Sequence, residues 1–226
     1  MIEGRALYRL MMWMSPAYPT GAFAYSQGLE WAVEAGTVRD GESLADWVRG
    51  ILLYGSGRVD GALFAEAWRA GATEDDEALD AVTALGRAWR GTAETALESA
   101  AQGRAFAQVT AAAWGDARLA RLACRQDGPI PLAIAAGLAL TPEVPLDDAL
   151  TAFFAAFAAN LTSAGVRLVP LGQTEGQMVL AALEGPVAEA ARAGAEADLE
   201  TLGTAAPMAD LGSMFHETQY SRMFRS

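Results

Sequence analysis

The chain has 226 residues, a net charge of −12 and 52% hydrophobic residues, and all sixteen of its basic side chains are arginine. That length can bury one good core, and the hydrophobic content, much of it alanine, excludes a disordered body. The acidic balance excludes a basic stripe for nucleic acid, and the missing lysine excludes Schiff-base chemistry and a Walker-type phosphate loop.

Residues 1–14 hold Met11, Met12 and Met14 beside Trp13, a cluster that reads as packing and not as a copper site. Nothing here looks like a signal peptide, so a cytoplasmic protein is expected. Ser15 to Glu30, SPAYPTGAFAYSQGLE, is the stretch around which the chain is organised. Pro16 and Pro19 stiffen it and bias their predecessors away from helix. Thr20 stands where an N-cap would stand, and Phe23, Gln27, Glu30, Trp31 and Glu34 then follow at helical spacing. Tyr18, Phe23 and Tyr25 crowd beside this turn; stiff aromatics are low-entropy contact groups, although an ordinary surface loop has the same composition.

Gly36 and Asp40-Gly41 end the first helix. Leu44, Trp47, Val48, Ile51 and Leu52 mark one side of a second, and Arg58 to Ala70 reads as a third. Glu74-Asp75-Asp76-Glu77 reads as the acidic first turn of the next helix, favoured by the helix dipole; it lacks the ligand pattern of a Ca²⁺ loop. Glu77 to Trp89, Thr92 to Trp114 and Asp116 to Cys124 continue the helical pattern. The stretch from about Asp75 to Leu146 is Ala-rich and adds little functional signal. Gly128-Pro129-Ile130-Pro131 breaks the chain before an apolar helix ending near Leu140.

From Thr151 to Ala182 only Arg167 and Glu175 are charged. Alanine dominates and polar residues interrupt, so this reads as a central helix buried on all sides and not as a membrane span. Arg167 in such surroundings must be paired or sit at an interface. Pro170-Leu171-Gly172 breaks the helix, and another runs from Gln173 to about Gly194. Residues 203–211 read as loose. The end, GSMFHETQYSRMFRS, joins Tyr and Arg to apolar anchors, which suits a contact element as well as a turn packed back on its own bundle.

The fold expected is a single all-α helical bundle over 1–226, with flexible or partner-ordered ends at about 1–14 and 204–226. No catalytic set is present: Ala24-Tyr25-Ser26-Gln27-Gly28 misses the first glycine of a nucleophile elbow. His216 and Cys124 stand alone of their kinds and read as a surface histidine and a core thiol, so no metal ligands and no cofactor are expected. The composition points to a protein whose function is contact.

Three stretches, SPAYPTGAFAYSQGLEWAVEAG, VRLVPLGQTEGQ and HETQYSRMFRS, in that order and spacing, resemble the UreF family of urease accessory proteins. The likeness runs from about Leu10 to the last residue. It implies an all-α, homodimeric, non-enzymatic chaperone for nickel insertion. Its implied partners are a UreD/UreH-type accessory protein, the GTPase UreG and apo-urease, with no nucleic acid and no membrane. It further implies that Tyr220, Arg222 and the segment around His216 face a partner. Phe23 and Tyr25 would lie beside them, and Gln173, Thr174 and Gln177 would share that face. Two other readings of the residues remain: a helical homodimer unrelated to metal delivery, and a small-molecule binder with Arg167 and Gln173 lining a pocket.

Overall fold

The computed structural model describes residues 2–125 and 128–226, and among these there is no strand. The helices are α1 (Gly4–Trp13), α2 (Leu29–Glu34), α3 (Gly41–Tyr54), α4 (Ser56–Thr73), α5 (Asp76–Ala88), α6 (Ala93–Trp114), α7 (Ala117–Ala123), α8 (Leu132–Leu140), α9 (Leu146–Leu168), α10 (Gln173–Ala182), α11 (Glu184–Ala195) and α12 (Pro207–His216). Local chemistry explains their starts. Asp40 with Ser43 and Thr92 with Thr95 form capping boxes at α3 and α6. Asp75 caps α5 by accepting a hydrogen bond from the Ala78 amide at 2.9 Å. The acidic run at 74–77 therefore does open a helix.

The core is centred on α8, which is buried along its length from Ala133 to Leu140 and lies against α4 and α6. Ile134 and Leu138 meet an interior that also holds Leu63, Phe64, Phe106 and Phe154, all fully buried. Each such side chain contributes about 1.5–3 kcal/mol of transfer free energy. At the α4–α11 crossing a Cβ on Gly61 would stand 3.1 Å from the Gly194 Cα, so glycine on both helices permits the close approach.

Several expectations are corrected here. The all-round buried helix is α8. In α9, Phe153, Phe154, Ala158, Leu161, Ala164 and Gly165 face the interior, while Thr151, Ala155, Ser163 and Arg167 are exposed. A side made of small residues can turn to water at little cost. By length and composition α9 could cross a membrane, yet half of its most apolar stretch is buried in the protein, against α3, α10 and α11. The helix expected over 173–194 divides at Leu183, just ahead of Gly185-Pro186, where proline fits a first turn that needs no amide donor. Residues 203–211 are not wholly loose, because Pro207 opens α12 at a position that suits its fixed φ.

Both ends are folded onto the body. Helix α1 lies on α9, with Trp13 edge-on to Trp114 at 5.5 Å and Arg9 bound to Glu143 at 2.8 Å. The last residues return to α2 and α6 and bury Phe224 and Ser226.

Candidate functional site

The loop after α1 does not lead straight into a helix at Thr20. Gly21, Gln27 and Gly28 take positive φ, which holds Ala22–Ala24 to a single tight 3-10 turn and delays α2 to Leu29. Gly28 is also a contact requirement. A Cβ there would stand 2.6 Å from the Ser213 amide nitrogen of α12. Helix α12 therefore sits directly on the start of α2. Thr92, the cap of α6, reaches Ser213 across the same seam at 2.7 Å between hydroxyls.

Buried carboxylates line this seam. Glu30 projects from α2, and Glu94 and Glu98 from successive turns of α6. His216 at the end of α12 is fully buried between the first two. Its Nε2 lies 3.1 Å from Glu30 and its Nδ1 2.9 Å from Glu94. With a carboxyl group at each nitrogen, the ring hydrogen-bonds on both sides and bridges α2 to α6. Arg222 adds a second cation, 3.3 Å from Glu94.

The carboxylates also bind the backbone of the tail. Glu30 accepts the amides of Met223 at 2.6 Å and Phe224 at 2.8 Å. Glu98 accepts the Ser226 hydroxyl at 3.0 Å, the Gln27 amide at 3.2 Å and the Gln102 amide at 3.0 Å. Burial pushes the Glu98 carboxyl up to about 7; the amide and hydroxyl donors and the Arg90 charge oppose that rise, and Asp60 adds to it. Ser26 donates from both its amide and its hydroxyl to the main-chain oxygen of Ser226, and the Arg225 amide donates to the Ala24 oxygen at 2.7 Å. Ser26 is thus a tail anchor and no nucleophile.

Arg167 has partners although it is exposed and not enclosed as expected. It donates to the Phe23 oxygen at 2.9 Å, and its guanidinium lies 4.4 Å from the Phe224 ring centroid. It ties the first loop to the tail.

The residues singled out in the sequence separate into three groups. Tyr25 and His216 are buried, so neither presents its side chain at the surface. His216 was expected outside and Cys124 inside; the reverse holds, because His216 sits between two carboxyl groups while Cys124 lies just past α7 and off the side that buries Leu119 and Leu122. Phe23, Tyr220 and Arg222 are exposed around the seam. Gln173, Thr174 and Gln177 are exposed on the first turns of α10, and no hydrogen bond joins them to the tail.

Glu30, Glu94, Glu98 and Gln102 were passed over. The last three fall at four-residue steps in an otherwise Ala-rich helix, a polar stripe legible in the sequence. The region from Asp75 to Leu146 is therefore not generic, since it supplies half of this network. The three groups Glu30, His216 and Glu94 do not converge on a point, because the histidine stands between the carboxylates. Among the described residues no group of His, Cys, Asp and Glu is arranged to hold a metal ion.

What the site offers chemically is an exposed apolar surface on a braced support. Around the docked tail, Leu211, Met214, Phe215, Tyr220 and Met223 are exposed. Phe215 stacks on Trp31 with ring centroids 5.0 Å apart. Neither Arg167 nor Gln173 lines the cavity between the first loop, α6 and α9, or the open cleft beside Glu94 and Arg222.

The UreF family matches residues 38–184. A urease accessory protein UreF of Granulibacter bethesdensis is 53% identical over 98% of this chain and 94% of its own length. One from Rhodopseudomonas palustris is 49% identical over 99% of this chain and 95% of its own. Another, from Methylorubrum populi, is 48% identical over 96% and 98%.

Proposed function

The chain belongs to the UreF family of urease accessory proteins, and on that premise we propose that it acts as a nickel-insertion chaperone. It bridges a UreD/UreH-type accessory protein and the GTPase UreG on apo-urease while the metal centre is assembled. It works in the cytoplasm as a homodimer, without a cofactor of its own and without nucleic acid or membrane. Family members are accessory proteins and not enzymes, in keeping with a buried network whose polar groups are spent on one another.

The observation that carries the reading is the exposed apolar surface on the docked tail. Leu211, Met214, Phe215, Tyr220 and Met223 stand outward from a segment whose backbone is fixed by Glu30, Ser26 and Ala24. A contact surface held in place before binding loses less freedom when a partner arrives. Arg222 contributes donors at its edge, and Phe23 extends it across the first loop. Gln173, Thr174 and Gln177 form a second polar contact region on α10.

Pull-down with UreD and UreG, followed by urease activation, tests the reading. Tyr220→Ala should leave the fold intact and weaken assembly by about 2 kcal/mol, more than tenfold in affinity. Full assembly and full activation by Tyr220→Ala and Arg222→Ala together would remove the tail from the interface. Failure of the unaltered chain to bind either protein would favour a helical homodimer unrelated to metal delivery.

A further inference from the structure

Beside the carboxylate seam lies a cavity of about 260 Å³. Its walls include Trp13, Tyr18, Phe106, Phe153 and Phe157, and the exposed Phe23 stands at its mouth. Its polar end holds Asp60, Arg90, Glu98 and Gln102. A dry apolar space of about 150 Å³ admits benzene, so this one has room for an aromatic ring with a short side chain.

The charges at that end do not cancel. Asp60 and Arg90 pair at 2.9 Å and neutralise each other. The neighbouring Glu94 pairs with Arg222, and Glu30 accepts the Met223 and Phe224 amides, while His216 hydrogen-bonds both. Glu98 alone has only neutral hydrogen-bond partners: Gln27, Gln102 and Ser226. Gln102 donates its amide nitrogen to Glu98, and its amide oxygen is left as an acceptor beside it. Aromatic rings also line this space, and their π-systems attract cations over anions.

We propose that this cavity binds a small organic ammonium ion, with its apolar body among the aromatic walls and its charged head on Glu98 and Gln102. The head is directed away from Arg90 by like charge. Asp60, Arg90, Glu94, His216 and Tyr18 are the other titratable or charged groups around Glu98. The carboxyl that titrates near 7 when the cavity is empty becomes ionised when the cation arrives, so binding below that pH releases protons. Because Ser226 rests on the same carboxylate, occupancy also bears on tail docking.

Calorimetry on the purified full-length chain, with no urease protein present, tests this independently of the proposed function. The probes are 2-phenylethylamine, the neutral 3-phenylpropan-1-ol and the anion hydrocinnamate. At about pH 8 the amine should saturate with a Kd below about 1 mM and bind at least about tenfold tighter than the alcohol, and the anion should not bind. At about pH 6, buffers of different ionisation heat should reveal proton release. Glu98→Gln should bring amine and alcohol to equal affinity, and Ala159→Phe, which fills the cavity from α9, should abolish both. No saturation by the amine, equal affinity of amine and alcohol for the unaltered chain, or unchanged binding by Ala159→Phe would each overturn the proposal. Should Glu98→Gln not fold, the proton count decides, since binding without release below pH 7 also overturns it.

Discussion

The α8 core and the carboxylate seam are both buried, yet different physics stabilises them. Around α8 the side chains are apolar and the interaction is close packing, which has no sign and little dependence on pH or salt. In the seam Glu30, Glu94 and Glu98 are matched by His216, Arg222, amides and hydroxyls. Each seam contact depends on a partner being present and correctly protonated. The core holds the chain in one fold, whereas the seam holds one segment in one place.

Substitutions should expose this difference, and the largest effect belongs to the core. Phe154→Ala removes a fully buried ring and should cost about 4 kcal/mol in urea denaturation, equally in acid and at neutral pH. A cost that varied with pH would blur the distinction. Deletion after Thr218 should come next, at about 3 kcal/mol, because it strips Glu30 of two amide donors and removes the buried Phe224. That outcome replaces the expectation, natural for a free tail, that truncation leaves stability unchanged; an unshifted melting curve would restore the free tail.

The third effect is a pH dependence confined to the seam. Glu98 keeps its proton to about 7 in the folded chain, against an ordinary value of 4.5 for a free glutamate. Between those values the folded state binds more protons than the unfolded one, so stability is greatest below about 4.5 and falls as pH rises to about 7. The total fall from this group is about 3 kcal/mol. Glu98→Gln should flatten that slope in denaturation curves taken across the window; an identical slope in the variant would assign it elsewhere. Smallest is Arg222→Ala. Its half-exposed contact with Glu94 should contribute less than about 1 kcal/mol to stability, screened by salt, while the loss shows in partner assembly.

The two regions also differ in how far the sequence discloses them. The caps at Asp40 and Thr92, the apolar run before Leu140 and the breaks at Pro170 and Gly172 are local signals, and the helices follow them. The seam is non-local. His216 meets residues that lie 122 and 186 positions away, a pairing that no periodicity announces. The outward placement of Tyr220 and Arg222 agrees with their reading as surface groups. The inward turn of His216 and Tyr25 was not legible, since burial of a polar side chain depends on partners brought in by the rest of the fold. The delayed start of α2 was hidden for a related reason: Gln27 takes a left-handed backbone angle that only the surrounding structure stabilises.

The pairing of residues 24–26 with 225–226 brings the first loop and the last residues together. A chain emerging from the ribosome can bury α8 against α4 and α6 while the tail is still unmade. Glu30, Glu94 and Glu98 then wait without their cations and donors until His216 and the residues after it arrive. The tail therefore docks on a body that is already packed beneath it. A chain lacking those residues leaves Glu30 and Glu98 without the amide and hydroxyl donors that the tail supplies.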